Sequence, residues 1–471
     1  MPDAPKKELS LLDSTCLIVG IIIGTGIYQL APDVAKGAAG PWGLMALWGL
    51  GAMLTLCGAL AYAELAIAWP REGGDYVYLT RAYGRWAGFL FGWLQLSVVR
   101  PADIAAMAFA FATYARILVM ALWAGGKVAI LYADQVLAGT LGAESFLAAE
   151  LRTNVAEFDP FGPGEEAYTC RILALAAIVV LTAINIIGVR EGKWTQNVLT
   201  AAKALGLLGI VGVAVIAPAA ARQAETVEPL PLSVALVFVL FTFGGWNEMA
   251  YVAAEVKDAR RNITRALVLG VAGVAVLYLL VNGAFLYTLG YSGVANSKAV
   301  AADSIATVFP DAGARLISAL ICISALGAVN GLVFAGSRIY YAVGQDHRLF
   351  RIVGRWHPRT GTPVRALLLQ GAIAAALVAV FGNFRDTVIY MSATVYAFYL
   401  ATTAAVFVLR YKEPLTERPY RVTGYPVTPL IFAGVCAYLI YSCATYKPVD
   451  AAIACGIVLL GLPIYWLSSR R

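Results

Sequence analysis

Several charged residues stand inside apolar runs of this sequence, where a charge is expensive unless it is paired or neutralised, and four of them could do chemistry. Lys203 sits in LTAAKALGLLGIVG and Glu248 in FVLFTFGGWNEMAYVAAE, while Arg100 and Asp103 open VRPADIAAMAFAFATYARI. Three residues apart, Arg100 and Asp103 can pair on one helical face. Lys203 must be paired or neutralised at depth, or snorkel to the nearer bilayer surface. Glu248 can serve as a proton site, as a counter-ion for a cationic substrate, or as the partner of a basic side chain such as Arg338. Two of the apolar runs are also interrupted, by Gly24-Thr25-Gly26 in LIVGIIIGTGIYQL and by Gly244-Gly245. Glycine weakens a helix by about 1 kcal/mol relative to alanine, and unwound backbone at bilayer depth survives only where it lines a cavity. A helix starting near Thr25 aims amide groups and a positive dipole end at an anion, and one ending near Ile22 offers carbonyls to a cation. One break can thus hold both poles of a zwitterion. The plainer alternative is that the glycines let neighbouring helices approach.

Other chemistries find little support. Cys16, Cys57, Cys170, Cys322, Cys436, Cys443 and Cys455 lie mostly in apolar runs without a CxxC pair, and read as small buried residues. His347 and His357 share one basic loop with no second ligand cluster, so neither a metal site nor another cofactor is expected. No nucleophile constellation suggests an enzyme. The net charge of +7 is scattered through short loops and forms no continuous patch for nucleic acid.

The elements that must position these residues are membrane helices. The 471-residue chain is 60% hydrophobic and 13% charged, with a mean hydropathy of +0.75. Apolar runs long enough to cross a bilayer core recur to the end. Twelve are counted, over 11–35, 42–69, 86–122, 171–188, 195–217, 232–256, 265–290, 313–343, 364–382, 386–409, 427–446 and 451–468. Lys and Arg concentrate in alternate loops, including Arg71, Arg81, Arg260, Arg261, Arg348, Arg355 and Arg410, which puts both termini in the cytoplasm. No cleavable signal peptide is evident. Residues 123–170 are moderately apolar, but Asp134, Glu144 and Glu150 interrupt them, and a span there would invert every later basic loop. They read as an external, partly helical excursion. The two glycine breaks lie five spans apart, the pattern of an inverted repeat of spans 1–5 (11–217) and 6–10 (232–409), followed by two appended spans (427–468).

These segments resemble the amino acid–polyamine–organocation transporters, and within them the L-type amino acid transporter branch. The resemblance is carried by IIIGTGIY, GALAYAELAIAWPREGGDYVYLTRAYG, VRPA, QNVLTAAKALGLL, FTFGGWNEMAYVAAEVKDARRNITRAL, GAVNGLVFAGSRIYYA and RPYRVTGYPVTPLIF, in order through nearly the whole chain. It implies an all-α, leucine-transporter-like membrane fold and an amino acid substrate. The carboxylate would sit at Thr25, Gly26 and Ile27, beside Gly24. The amino group would meet carbonyls of Ile22, Ile23, Phe241 and Gly244, with Trp246 and Asn247 completing the second break and Phe241 capping the site as a gate. In family members without sodium coupling, a lysine at the position of Lys203 occupies the place of a coupling sodium. Its ammonium would lie near carbonyls of Gly20 to Ile23 and near Ser324 or Asn330. The family often has a cation where Arg100 stands, but Asp103 would offset it, so no acidic-substrate specificity is carried over. Cys170 ends the segment 123–170 at the start of the next apolar run, and the resemblance finds in the loop before it no counterpart of the cysteine by which animal members attach a heavy chain, so no such partner is expected.

The reading is a secondary transporter of amino acids in a prokaryotic inner membrane, working by alternating access and sodium-independent exchange. Proton-coupled uptake of an amino acid or polyamine is the rival mechanism, and an amino-acid sensor that moves nothing is the rival class.

Overall fold

The computed structural model describes residues 6–141, 166–220, 226–310, 312–380, 384–446 and 448–469, and is built of helices, with only isolated β-bridges besides them among the described residues. Nine helices are long and apolar enough to cross a membrane by length and composition among the described residues, and Leu232–Thr242, Val364–Ala379 and Ala452–Ser468 are shorter apolar helices. Local signals explain several boundaries. Ser10 and Asp13 form a reciprocal capping box that starts Leu11–Ile22, and Pro41 opens Pro41–Ala68 at a position where its missing amide leaves no bond unmade.

The run expected over 86–122 is longer and more irregular than its hydropathy suggests. It begins as Arg85–Leu94, passes through a π-helical turn at Gln95–Val99, and continues as Arg100–Leu141. At 1.5 Å per residue, those 42 residues extend well past a bilayer core of about 30 Å. The excursion expected over 123–170 is thus helical at its start, and its residues 142–165 lie outside the described ones.

The helix Gly313–Asp346 is the hub, with 78% of its apolar window buried against 28% for Val189–Ile216. It packs on Arg100–Leu141, Val189–Ile216 and Leu11–Ile22, while Ala259–Asn296 packs on Pro41–Ala68 and Leu11–Ile22. The first interrupted helix therefore has protein on several sides. Charged groups in the spans are tied to distant elements. Arg338 makes a two-pronged pair with Glu255 at 2.7 and 3.0 Å, and Arg410 does the same with Glu64, whose carboxylate also accepts the Val422 amide at 2.7 Å. Arg338 is thus committed to Glu255, not to Glu248. Glu64, Glu255 and Asn185, whose amide reaches Asn330 at 2.8 Å, are interhelical fasteners, and Asn282 bonds within its own helix to Tyr278 O.

One buried group gives the fold a pH response. His347, just beyond the end of Gly313–Asp346, is buried against the rings of Phe89 and Tyr465. Burial, reinforced by Arg85 and opposed by Asp346, lowers its pKa from 6.5 to about 4. The unfolded chain therefore takes up a proton below pH 6.5 that the folded chain refuses until about pH 4. Stability contributed by His347 is intact above pH 6.5 and falls between those two values. Melting of the detergent-solubilised protein should drop on going from pH 7 to pH 4.5, and His347→Phe should flatten part of that drop. An identical pH profile in the variant would show that His347 does not carry it.

Candidate functional site

The two interrupted helices break in related ways. In the first, the amide of Ile23 still reaches Val19 O, but that of Gly24 turns back on Ile22 O at 2.7 Å. The ladder resumes with Tyr28 and Gln29 donating to Thr25 O at 3.1 Å, which starts the short helix Gly26–Gln29. In the second, Leu232–Thr242 ends with the Gly244 amide on Phe241 O at 2.8 Å, and helix returns at Glu248–Tyr251. Gly245 sits at φ 98°, a conformation that disfavours any side chain. A Cβ there would lie 2.4 Å from Ile21 Cγ2. The two breaks therefore abut.

Between them lies a cavity of about 140 Å³. Of the residues expected at the site, Ile22, Gly24, Thr25, Gly26, Phe241, Gly244, Asn247, Arg100, Asp103 and Glu248 line it. Ile23, Ile27, Trp246 and Lys203 do not. Ile23 is fully buried and its carbonyl accepts from Lys203 Nζ at 2.8 Å and Ser324 Oγ at 2.9 Å, so it is taken up behind the break. The Ile22 carbonyl also accepts the Tyr278 hydroxyl at 2.9 Å. Trp246 packs edge-on against Tyr62 and Phe432.

Lys203 is fully buried, and its ammonium donates to the carbonyls of Gly20 at 2.6 Å, Ile23 at 2.8 Å and Ser324 at 3.0 Å. All three ammonium donors are thus used. They join the end of Leu11–Ile22 to Gly313–Asp346. Asn330, the alternative partner, bonds instead to Gln196 at 2.9 Å and Gly192 O at 3.1 Å.

The expected Arg100–Asp103 pair is replaced by a bond across the cavity. Arg100 Nη1 lies 2.9 Å from Glu248 Oε1, both side chains being almost fully buried. The guanidinium also stands over the Tyr251 ring at 5.6 Å. Asp103 faces the same cavity. The reason is the π-helical turn that precedes Arg100. The Arg100 amide donates to Gln95 O, five residues back, and the next residue in that register, Pro101, has no amide to give. Leu96 O, the carbonyl it would have served, accepts the Tyr340 hydroxyl at 2.9 Å instead. The wide turn carries Gln95 and Val99 to the cavity wall, as such turns often do at functional sites.

Sequence reasoning passed over Gln95, Met107, Tyr251, Tyr396, Phe398 and Tyr399, which are also part of the wall. Met107 was findable as the residue four after Asp103 on one helical face, and its sulfur accepts the Thr25 hydroxyl at 3.7 Å. The tyrosines carry no such signal, because apolar spans use them freely. Among the described residues no cluster of His, Cys, Asp or Glu could hold a metal ion. The chemistry on offer is recognition of a small polar molecule: a carbonyl-rich and amide-rich break, a buried ion pair with a second carboxylate, and a rim of aromatic rings.

Known proteins are similar to this chain over nearly its whole length. The mouse b(0,+)-type amino acid transporter 1 is 27% identical over 98% of this chain and 88% of its own length. Human large neutral amino acids transporter small subunit 2 is 29% identical over 98% of this chain and 81% of its own. The serine/threonine exchanger SteT of Bacillus subtilis is 28% identical over 99% of this chain and 98% of its own. A family model described as amino acid permease matches residues 9–464, which takes in both interrupted helices, Lys203 and the Arg100–Glu248 pair. The chain is an integral membrane protein of the amino acid permease family, of the L-type amino acid transporter kind.

Proposed function

We propose that this protein is a secondary active transporter that moves amino acids by alternating access, in sodium-independent exchange. The observation that carries the reading is the convergence of both helix breaks on one buried cavity. In this reading the twelve apolar segments are all spans, forming one transport domain with a 5+5 inverted repeat and two appended helices, and both termini face the cytoplasm of a prokaryotic cell. The substrate carboxylate meets the amides of Thr25 and Gly26, and the amino group meets carbonyls of the two breaks, such as that of Gly244. Phe241 closes over it. Sodium independence is supported by Lys203, whose fixed charge holds the carbonyls that a bound cation would otherwise gather. In this reading no heavy-chain partner is needed.

The test is counterflow in proteoliposomes loaded with one amino acid, using labelled L-serine, L-leucine, L-arginine and L-glutamate outside. Accumulation that requires internal substrate and persists in choline supports exchange. A second mechanism, proton-coupled uptake, is favoured by one observation: Arg100 shares the cavity with two carboxylates, Asp103 and Glu248. Uptake into empty vesicles that collapses with a proton ionophore would replace exchange by that mechanism.

The ion pair also sets selectivity. Glu248→Gln leaves the Arg100 guanidinium without its anion in a cavity of low dielectric, where one charge changes affinity several-fold. Competition by L-arginine should weaken several-fold relative to L-serine, and competition by L-glutamate should strengthen. Unchanged competition in a monodisperse Glu248→Gln protein would confine the pair to structure.

A further inference from the structure

Asp75 opens the helix Asp75–Tyr83, in the segment between Pro41–Ala68 and Arg85–Leu94, and is fully buried. Its carboxylate accepts three hydroxyls: Tyr62 and Thr402 on Oδ1, the latter at 2.6 Å, and Tyr251 on Oδ2 at 2.9 Å. None of these partners is a cation. Beyond Tyr251 the chain continues into the cavity, because Asn247 Nδ2 donates to the Tyr251 hydroxyl at 2.7 Å and Tyr399 donates to Asn247 Oδ1 at 2.9 Å. Asn247, Tyr251 and Tyr399 line the cavity, and Asp75 does not. A further bond, from the Gly73 amide to Tyr251 O at 3.2 Å, holds the same loop against the second break.

A tyrosine hydroxyl has one proton. That of Tyr251 is drawn to the carboxylate, since a bond to an ionised acceptor is about twice as strong as one between neutral groups. The Tyr251 oxygen can then only accept, so the face of the Asn247 carboxamide turned toward it must be the NH₂. A flipped carboxamide would set two oxygens against each other and also confront Tyr399 with a donor. Each bond in the chain polarises the next. Five hydroxyl or amide donors thus take their direction from one charge.

We propose that Asp75 is a positioning residue for the transport cavity: acting through Tyr251, it fixes which hydrogen-bonding atoms Asn247 presents to the substrate. The proposal rests on the transport reading and adds a specificity-determining residue that the substrate never touches. What Asn247 leaves to the cavity is one N–H and one lone pair in defined places. Neutral Asp75→Asn can donate as well as accept, so the Tyr251 hydroxyl loses its preferred direction and the carboxamide its fixed face.

The test is a double-mutant cycle read by KM and Vmax in proteoliposomes, using whichever of labelled L-serine, L-leucine, L-arginine and L-glutamate the wild type takes up best. Asp75→Asn should raise KM about tenfold with Vmax within about twofold. In an Asn247→Ala background the same substitution should add less than about twofold, because the group it positions is gone. Tyr62→Phe, which removes a donor from Asp75 but leaves the Tyr251–Asn247 link, should leave KM within about twofold. If Asp75→Asn fails to fold, Tyr251→Phe takes its place in the cycle with the same expected loss of effect in the Asn247→Ala background. Additive effects in the cycle, or a Tyr62→Phe protein with the same KM defect, would assign Asp75 to structure and overturn the proposal. No uptake of any of the four amino acids by the wild type would overturn the transport reading itself, and this proposal with it.

Discussion

Lys203→Ala should reduce uptake by several-fold to roughly a hundred-fold at a fixed external amino acid concentration. The substitution strips the ammonium from the carbonyls of Gly20, Ile23 and Ser324, of which Ile23 O keeps the Ser324 hydroxyl. Leaving buried acceptors unsatisfied costs about 1–3 kcal/mol, and here the loss falls on the joint between the first interrupted helix and the hub helix Gly313–Asp346. The arrangement with that joint closed is the one disfavoured. Lys203→Met, which keeps the length and apolar volume of the stem but not the charge, should resemble Lys203→Ala if the ammonium matters more than packing. Replacing sodium by choline should leave wild-type uptake unchanged, since a charge fixed to the chain cannot be released down a gradient. Influx is to be measured in both salts, with and without unlabelled internal amino acid. Strict sodium dependence would remove Lys203 from this role.

Gly26→Leu should abolish substrate binding while the protein still inserts and remains monodisperse. Two close approaches meet at this residue. Thr25 and Gly26 line the cavity, and in the proposed binding mode the substrate carboxylate must reach their amides without a side chain between. A Cβ at Gly26 would also lie 2.9 Å from Thr242 Oγ1 and 3.2 Å from Thr242 Cγ2. The second contact was invisible in the sequence, and it means a large side chain wedges the two interrupted helices apart as well as blocking the amides. Gly26→Ala meets the same Thr242 atoms with a single methyl and should lose much less binding than Gly26→Leu. Substrate-dependent thermal stabilisation of Gly26→Leu equal to that of the wild type would defeat this account.

What could be read in advance follows the range of the interactions. Membrane helices declare themselves because twenty apolar residues have few other uses, and among the described residues nine helices are long and apolar enough to cross a membrane, with three shorter apolar helices beside them, against the twelve spans expected. The glycine breaks were legible for the same local reason. The partners of Lys203 were legible only through the family resemblance, since a lysine within reach of the bilayer surface can also snorkel, and the structure ties it to Gly20, Ile23 and Ser324. The partner of Arg100 was not, since spacing alone gives Asp103, whereas a π-helical turn and Pro101 direct the guanidinium to Glu248. Arg338 likewise found Glu255, 83 residues away. The Asp75 network was hidden more deeply, because its bonds to Tyr251 and Thr402 span 176 and 327 residues and use hydroxyls common in any membrane span.

The π-helical turn at Gln95–Val99 amounts to one residue more than an α-helix needs to cover the same rise. Each residue turns an α-helix by about 100°, so everything after the turn is rotated by that angle relative to an uninterrupted helix. The surplus residue therefore works as a phase shift. It decides whether the polar stripe made by Arg100, Asp103 and Met107 looks at the cavity or at the hydrocarbon, without changing the identity of any of the three. A chain of this family lacking the surplus residue would carry the same letters in VRPADIAAM and turn them toward a different neighbour, so the length of the preceding segment is part of what specifies the binding face.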